Sequence, residues 1–161
     1  MGLKKKDTPC QNGGPVGLLI DELPMPHSVN RNFIFSHGRF IKSRDARLFD
    51  SEVRVWAEKR KSAVKEMQAL ARSWVTSGYV LRVDIDFFFE RKRLFSTTSR
   101  AKDFVKSIDV NNRIKPLLDA VVLIIGVDDK FFFEHFVTKK ACKAHEQEHC
   151  KVSVLPIKLE H

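Results

Sequence analysis

No apolar stretch of this chain approaches the roughly 20 residues that a membrane-spanning helix requires. No apolar core follows Lys4, Lys5 and Lys6 near the N-terminus, so a secretory signal is not expected. Nor does a lipidation signal or an amphipathic anchor point to a membrane surface. Cysteine is scarce: Cys10, Cys142 and Cys150 are too few, and odd in number, for a disulfide framework. A reducing cytoplasm is therefore the expected compartment. Internal repeats and low-complexity segments are absent.

Acidic residues are also in deficit. Asp and Glu number 20 against 29 Lys and Arg, giving a formal charge of +9 and a pI near 9.6. Such an excess speaks to partners rather than to fold. Nucleic acid, an anionic membrane or an acidic protein would each satisfy it. With no membrane signal present, nucleic acid is favoured over a plainly solvated basic surface.

What is present suffices for a core. The chain has 161 residues, 43% of them hydrophobic, which is one domain's worth and needs no disulfide or zinc staples. Residues 1–16 are polar and rich in Gly and Pro and read as a loose tail. Residues 17–158 read as a single folded domain. The last three, Leu159, Glu160 and His161, resemble the start of a vector-encoded affinity tag and are set aside.

Within the domain, Leu18 to Leu23-Pro24 reads as a strand. Phe33-Ile34-Phe35 and Phe40-Ile41 flank His37-Gly38, which suggests a short hairpin. A long helix is predicted from Asp45 to Trp74, capped by Ser43, with Leu48, Val55, Trp56, Ala63, Met67, Leu70 and Trp74 along its apolar side. Leu81 to Phe89 alternates apolar residues with Arg82, Asp84, Asp86 and Phe88, the pattern of a strand with one wet face. Residues 91–108 form a basic connector, with Arg91, Lys92, Arg93, Arg100, Lys102 and Lys106 against the single acid Asp103. A second helix is predicted from Asn112 to Ile125, with Pro116 in its first turn. Two strands follow, Phe131 to Val137 and Cys150 to Leu155, joined by a charged hairpin loop. The expected class is α+β: a small mixed sheet with two main helices packed on it.

The segment from Asp109 to Asp129 is the candidate for chemistry. Asn112, Lys115 and Asp119 share one helix face, opposite the apolar one. Asp109 precedes that helix, and Asp128 and Asp129 follow its exit at Gly126. Aspartates at both ends with a lysine between them suit metal-assisted phosphodiester hydrolysis. Mg²⁺ takes hard oxygen ligands and keeps several waters. It polarises a phosphoryl oxygen and acidifies a bound water, while an ammonium stabilises developing negative charge. On residue pattern alone an ordinary amphipathic helix with a solvated face is the preferred reading.

Two motifs narrow the reading. Asp-Val-Asn-Asn-Arg-Ile-Lys-Pro-Leu-Leu-Asp-Ala (109–120) is followed by Gly-Val-Asp-Asp-Lys (126–130). This resembles the Asp-x-Asp-Asn-x-x-Lys, Asp-Ala and closing Asp-Asp pattern of RusA-type Holliday junction resolvases. Upstream, Leu-Pro-Met-Pro-His-Ser-Val-Asn-Arg (23–31) and Gly-Arg (38–39) are similar to that family's N-terminal signature. The resemblance implies a small homodimeric endonuclease that needs Mg²⁺ or Mn²⁺ and cuts four-way DNA junctions. By position it implies that Asp109, Lys115 and Asp129 are catalytic, with Asp128 beside them. Asp109, Asn111, Asp128 and Asp129 would form the metal site. Asn111 stands where the family pattern has an aspartate, so metal affinity is expected to be weaker. Asp84 or Asp86 on the wet strand face could supply the missing carboxylate. Arg91, Lys92, Arg93, Arg100, Lys102, Lys106, Asn112 and Arg113 are expected to hold DNA.

Four other readings are weighed against this. Cys142, His145, His149 and Cys150 invite a zinc reading, but paired ligands across a knuckle are missing, and a solvated loop is preferred. Phe87 to Phe89 and Phe131 to Phe133 could stack bases, although packing or a dimer contact is favoured, above all for Phe88 and Phe132. A RusA-like module that binds branched DNA without efficient cleavage is the alternative function, kept open by Asn111. A basic protein-binding scaffold has only the charge in its favour.

Overall fold

A computed structural model describes residues 16–95 and 108–159. Most of the predicted N-terminal tail, and Arg100, Lys102 and Lys106 of the basic connector, lie outside the described residues. The elements are β1 (Leu18–Pro24), β2 (Phe33–Ser36), β3 (Arg39–Lys42), α1 (Arg44–Lys59), α2 (Lys61–Thr76), β4 (Val80–Phe89), α3 (Arg91–Leu94), α4 (Asn111–Ile125), β5 (Phe132–Ala141) and β6 (His149–Ile157). Among the described residues no helix is long and apolar enough to cross a membrane.

The main sheet has the order β1-β6-β4-β5. β6 runs antiparallel to both β1 and β4, whereas β5 runs parallel to β4. The chain is thus α+β with a mixed sheet, as its pattern of elements led us to expect. The alternation in β4 is complete. Leu81, Val83, Ile85, Phe87 and Phe89 are buried, while Arg82, Asp84, Asp86 and Phe88 point to the other face. The buried set joins one core with Ile20, Val152 and Val154 of the neighbouring strands, Phe49 and Trp56 of α1, Trp74 of α2, and Leu117, Val121 and Ile124 of α4. The long helices therefore cover one face of the sheet. On the opposite face Arg82 donates to Asp84 at 2.8 Å, and Asp86 accepts from Lys140 at 2.6 Å and from Thr138.

Several expectations are corrected. The long helix breaks at Arg60, whose backbone leaves the helical region at φ −119° and ψ 27°. Its N–H turns back to the Ala57 carbonyl at 3.1 Å and starts α2 as a separate segment. The buried stripe of α1 is Ala46, Phe49, Val53 and Trp56, not the stripe through Leu48 and Val55, which are exposed. Pro116 lies in the second turn of α4, because Asp109 starts the helix earlier by accepting the Asn111 N–H at 2.9 Å. A proline has no N–H, so one intrahelical bond is forgone there. β5 and β6 do not form a hairpin; they flank β4 on either side.

The zinc constellation also fails to assemble. Cys150 is fully buried in β6 beside the Met25 sulfur, and burial pushes its thiol pKa far above the usual range. The His149 ring stacks on Phe88 at 4.5 Å between centroids. Among the described residues no three His, Cys, Asp or Glu side chains are grouped to hold a metal ion. Of the phenylalanines in question, Phe132 packs in the core and Phe88 covers His149 on the open sheet face. Ser43 does cap α1, its hydroxyl accepting the Ala46 N–H at 3.1 Å, an interaction worth about 1 kcal/mol.

Candidate active site on helix α4

α4 presents its apolar face to the sheet, with Leu117, Val121 and Ile124 fully buried. Asn111, Lys115 and Asp119, spaced by four, form a ridge on the outer face, and all three are exposed. Gly126 ends the helix at φ 66°, a left-handed conformation that an L side chain rarely adopts. That turn sends Val127 inward and brings Asp128 and Asp129 back beside the ridge. The Asp128 carboxylate then caps a short 3-10 turn, accepting the Lys130 N–H at 3.0 Å. This bond holds its pKa below the usual carboxylate range.

Lys115 is the centre of the arrangement. Its Nζ lies 2.7 Å from Asp119 Oδ1 and 3.3 Å from Asp129 Oδ2. The hydrogen bond to Asp119 raises the lysine pKa, partial burial opposes it, and Asp129 adds to the rise. Asp119, Asp128 and Asp129 line one shallow depression floored by Gly126 and Val127. On the other side of the ridge, Lys115 and Asp119 border a deeper cleft of about 550 Å³ against α1 and the β2–β3 hairpin. Another cleft, of about 580 Å³, lies elsewhere, against Glu22, Glu52, Trp56, Glu146 and Glu148. Its acids disfavour a polyanion, so size is a poor guide to the site here.

The remaining predicted residues fall into two groups. Asp109 sits at the helix N-terminus with Asn111 and Asn112. One of its oxygens takes the Asn111 N–H, and the other takes the Asn112 side-chain amide at 2.5 Å. The structure therefore gathers Lys115, Asp128 and Asp129 about the depression and leaves Asp109, Asn111 and Asn112 as a cluster at the helix start. Arg113 donates to the Pro26 carbonyl, tying α4 to the segment after β1. Arg93 is bound to Glu148 and lies over the Phe89 ring, a structural position. Arg91 lies over Phe95, and Lys92 pairs with Glu90 at 2.5 Å.

Asp119, which the sequence places on the polar face of the helix without assigning it a role, is the partner of Lys115. Its signal was legible: a Lys-to-Asp spacing of four on a helix places the two groups in ion-pair reach. Asp84 and Asp86 are excluded as replacements for the missing carboxylate. Both face away from α4 on the far side of the sheet, committed to Arg82 and Lys140 respectively. For Asp86 burial favours the neutral acid, but its hydrogen bonds outweigh that and lower the pKa.

A lysine paired with two aspartates that line an open depression is chemically suited to a phosphodiester. Residues 24–154 match the family described as endodeoxyribonuclease RusA, and the chain belongs to that family. A comparison with curated proteins gives no match. The family acts on branched DNA junctions, and membership implies endodeoxyribonuclease activity in general terms.

Proposed function

We propose that this protein is a Mg²⁺-dependent, structure-selective endodeoxyribonuclease that resolves four-way DNA junctions in recombination and repair. The observation that carries the reading is Lys115 placed between Asp119 and Asp129, with Asp128 on the same depression, in a chain of this family. The donor chemistry suits a hard cation: the adjacent carboxylates of Asp128 and Asp129 line an open depression with no thiol or imidazole in its lining, although among the described residues no three such side chains are grouped as a preformed site. Mg²⁺ needs only one or two carboxylates when it keeps its waters and shares the substrate's phosphate oxygens. Asp128 and Asp129 would hold it, with Asp109 and Asn111 nearer the helix start, and Mn²⁺ would serve in its place. Bound there, the ion would polarise the scissile phosphate and acidify a water. Lys115 is the cation of the ridge and offsets charge that builds on the phosphoryl oxygens. Asp119 holds the ammonium in place and keeps it protonated.

Exposed Phe133 and Phe136 on edge strand β5 supply apolar surface for a homodimer, whose two-fold axis would match that of a junction. Light scattering at micromolar concentration and low salt should give the mass of a dimer; the monomer mass would remove this part of the reading. Free thiols at Cys142 and Cys150 suit a reducing cytoplasm.

The function is tested by incubating an end-labelled four-way junction with the protein, with and without Mg²⁺. Paired nicks that need the metal are expected. Asn111 favours a second reading, a junction-binding module with weak cleavage, because an amide brings no charge to the metal. Asn111→Asp adds a carboxylate of nearly the same shape, at a helix N-terminus where negative charge is favoured. It should tighten Mg²⁺ binding and raise the cleavage rate about tenfold or more, one metal-proximal charge being worth a kcal/mol or so. If neither form cuts in Mg²⁺ or Mn²⁺ while both bind junctions tightly, the binding module is the function.

A further inference from the structure

The β2–β3 hairpin stands outside the main sheet and is largely uncovered. Its turn is tight, with His37 at φ 51° and Gly38 at φ 76°, as a two-residue hairpin loop requires. The register pairs Phe33 with Lys42 and Phe35 with Phe40. Cross-strand partners share a face, so these four side chains form one strip. Phe35 and Phe40 meet edge to face at 5.3 Å, yet are 67% and 74% exposed. Those exposures exclude a core role. At the base of the strip, Phe33 and Lys42 turn into the cleft of about 550 Å³, which Lys115 and Asp119 also border. Phe49, Val53 and Pro116 give this cleft apolar walls. His27 gives it a polar edge: its Nε2 meets Asn32 Oδ1 at 2.7 Å, and its buried Nδ1 has no hydrogen-bond partner among the described residues.

Charge chooses the occupant. From His27 to Arg44 the sequence carries four Arg and Lys and no acid, and although Lys42 pairs with Asp50 of α1 at 2.5 Å the segment stays net positive. A second copy would set this basic segment against its own charge. A nucleic acid offers both the negative backbone and flat rings for the aromatic faces. We infer that the hairpin strip and the cleft at its base form a base-stacking surface, which receives nucleobases unstacked at the branch point and seats the adjoining phosphate at Lys115. This rests on the junction-cleaving reading and deepens it: the strip is what tells a branch from a duplex. A paired duplex keeps its bases stacked, whereas a branch point yields them at low cost.

The test uses a four-way junction and a linear duplex, each carrying 2-aminopurine at the same sequence position, at the crossover in the junction. Binding is followed in EDTA so that nothing is cut. The natural protein should prefer the junction and raise its 2-aminopurine emission, as a base leaving the helical stack does. Phe35→Ala/Phe40→Ala should lose that rise and about tenfold or more of junction affinity, with duplex affinity unchanged. Phe35→Leu/Phe40→Leu keeps the apolar volume of the hairpin and removes only the rings. It should behave like the alanine pair, which separates stacking from hairpin folding. Natural junction preference with unchanged emission and affinity in both variants would overturn this inference and leave the nuclease reading standing. No junction preference in the natural protein would overturn both. A halved mass for either variant would also overturn it, by assigning the strip to an interface between copies.

Discussion

Lys115→Ala is expected to lower junction cleavage by about a hundredfold or more while changing junction affinity little, the loss typical of one preorganised charge at a reacting centre. The ammonium sits 2.7 Å from Asp119 and 3.3 Å from Asp129. Removing it withdraws the cation and leaves two carboxylates facing the incoming phosphate. Lys115→Arg keeps the charge but spreads it over a planar fork, so only part of the rate should return. Single-turnover cleavage in Mg²⁺, beside binding in EDTA, separates the two effects; a rate within threefold of the natural one would dismiss Lys115 from the chemistry. The pH dependence has a definite sign. Hydrogen bonding to Asp119 raises the lysine pKa in the folded chain. The pair's contribution to stability is thus complete below the unfolded value of about 10.4 and is lost as pH rises through the folded one. The groups are exposed, so that contribution is small. The consequence for activity is that no alkaline fall in rate below about pH 10 should trace to this residue.

Phe87→Ala is expected to destabilise the protein by about 3–5 kcal/mol, the usual cost of emptying a buried aromatic site. Phe87 is fully buried on the central strand, beside Phe89 with ring centroids 6.1 Å apart. Its neighbour Phe88 faces the other way and rests on His149, so Phe88→Ala should cost about 1 kcal/mol. Urea unfolding of the two variants measures the contrast. Equal losses would mean that the helix-covered face is not where the strand's stability resides.

The local elements were legible wherever a period or a turn signal was clean. β4 alternated without a fault, His37-Gly38 marked the hairpin, and Ser43 marked the start of α1. Arg60 was not legible as a break, because arginine is a good helix former and tertiary packing makes the turn there. The strand order escaped as well: Phe132 to Ala141 and His149 to Ile157 are neighbours in sequence, and only the sheet reveals that β4 lies between them. The candidate site was legible through the resemblance to RusA-type resolvases, since residue spacing alone gives an ordinary polar stripe; that stripe put Lys115 and Asp119 on one face, and the structure adds their ion pair. The hairpin itself was legible but the exposure of its rings was not, since a pattern of apolar residues says which side chains share a face and nothing about whether anything covers that face.

Strand β6 occupies a position with a consequence for how the chain folds. Leu18 pairs with Val154 and Val83 pairs with the same residue from the other side. During synthesis β1 therefore waits for a partner that is made after the other strands of the sheet. Until β6 arrives, the helices can gather against β4 and β5, which are joined through α4, but the sheet has a gap one strand wide. Contacts so distant in sequence slow folding, because the loop must close before the pairing rewards it. A nascent chain still lacking His149 to Ile157 would carry Leu18, Ile20 and Leu23 with no sheet to enter, and those residues would be natural sites for a chaperone to bind.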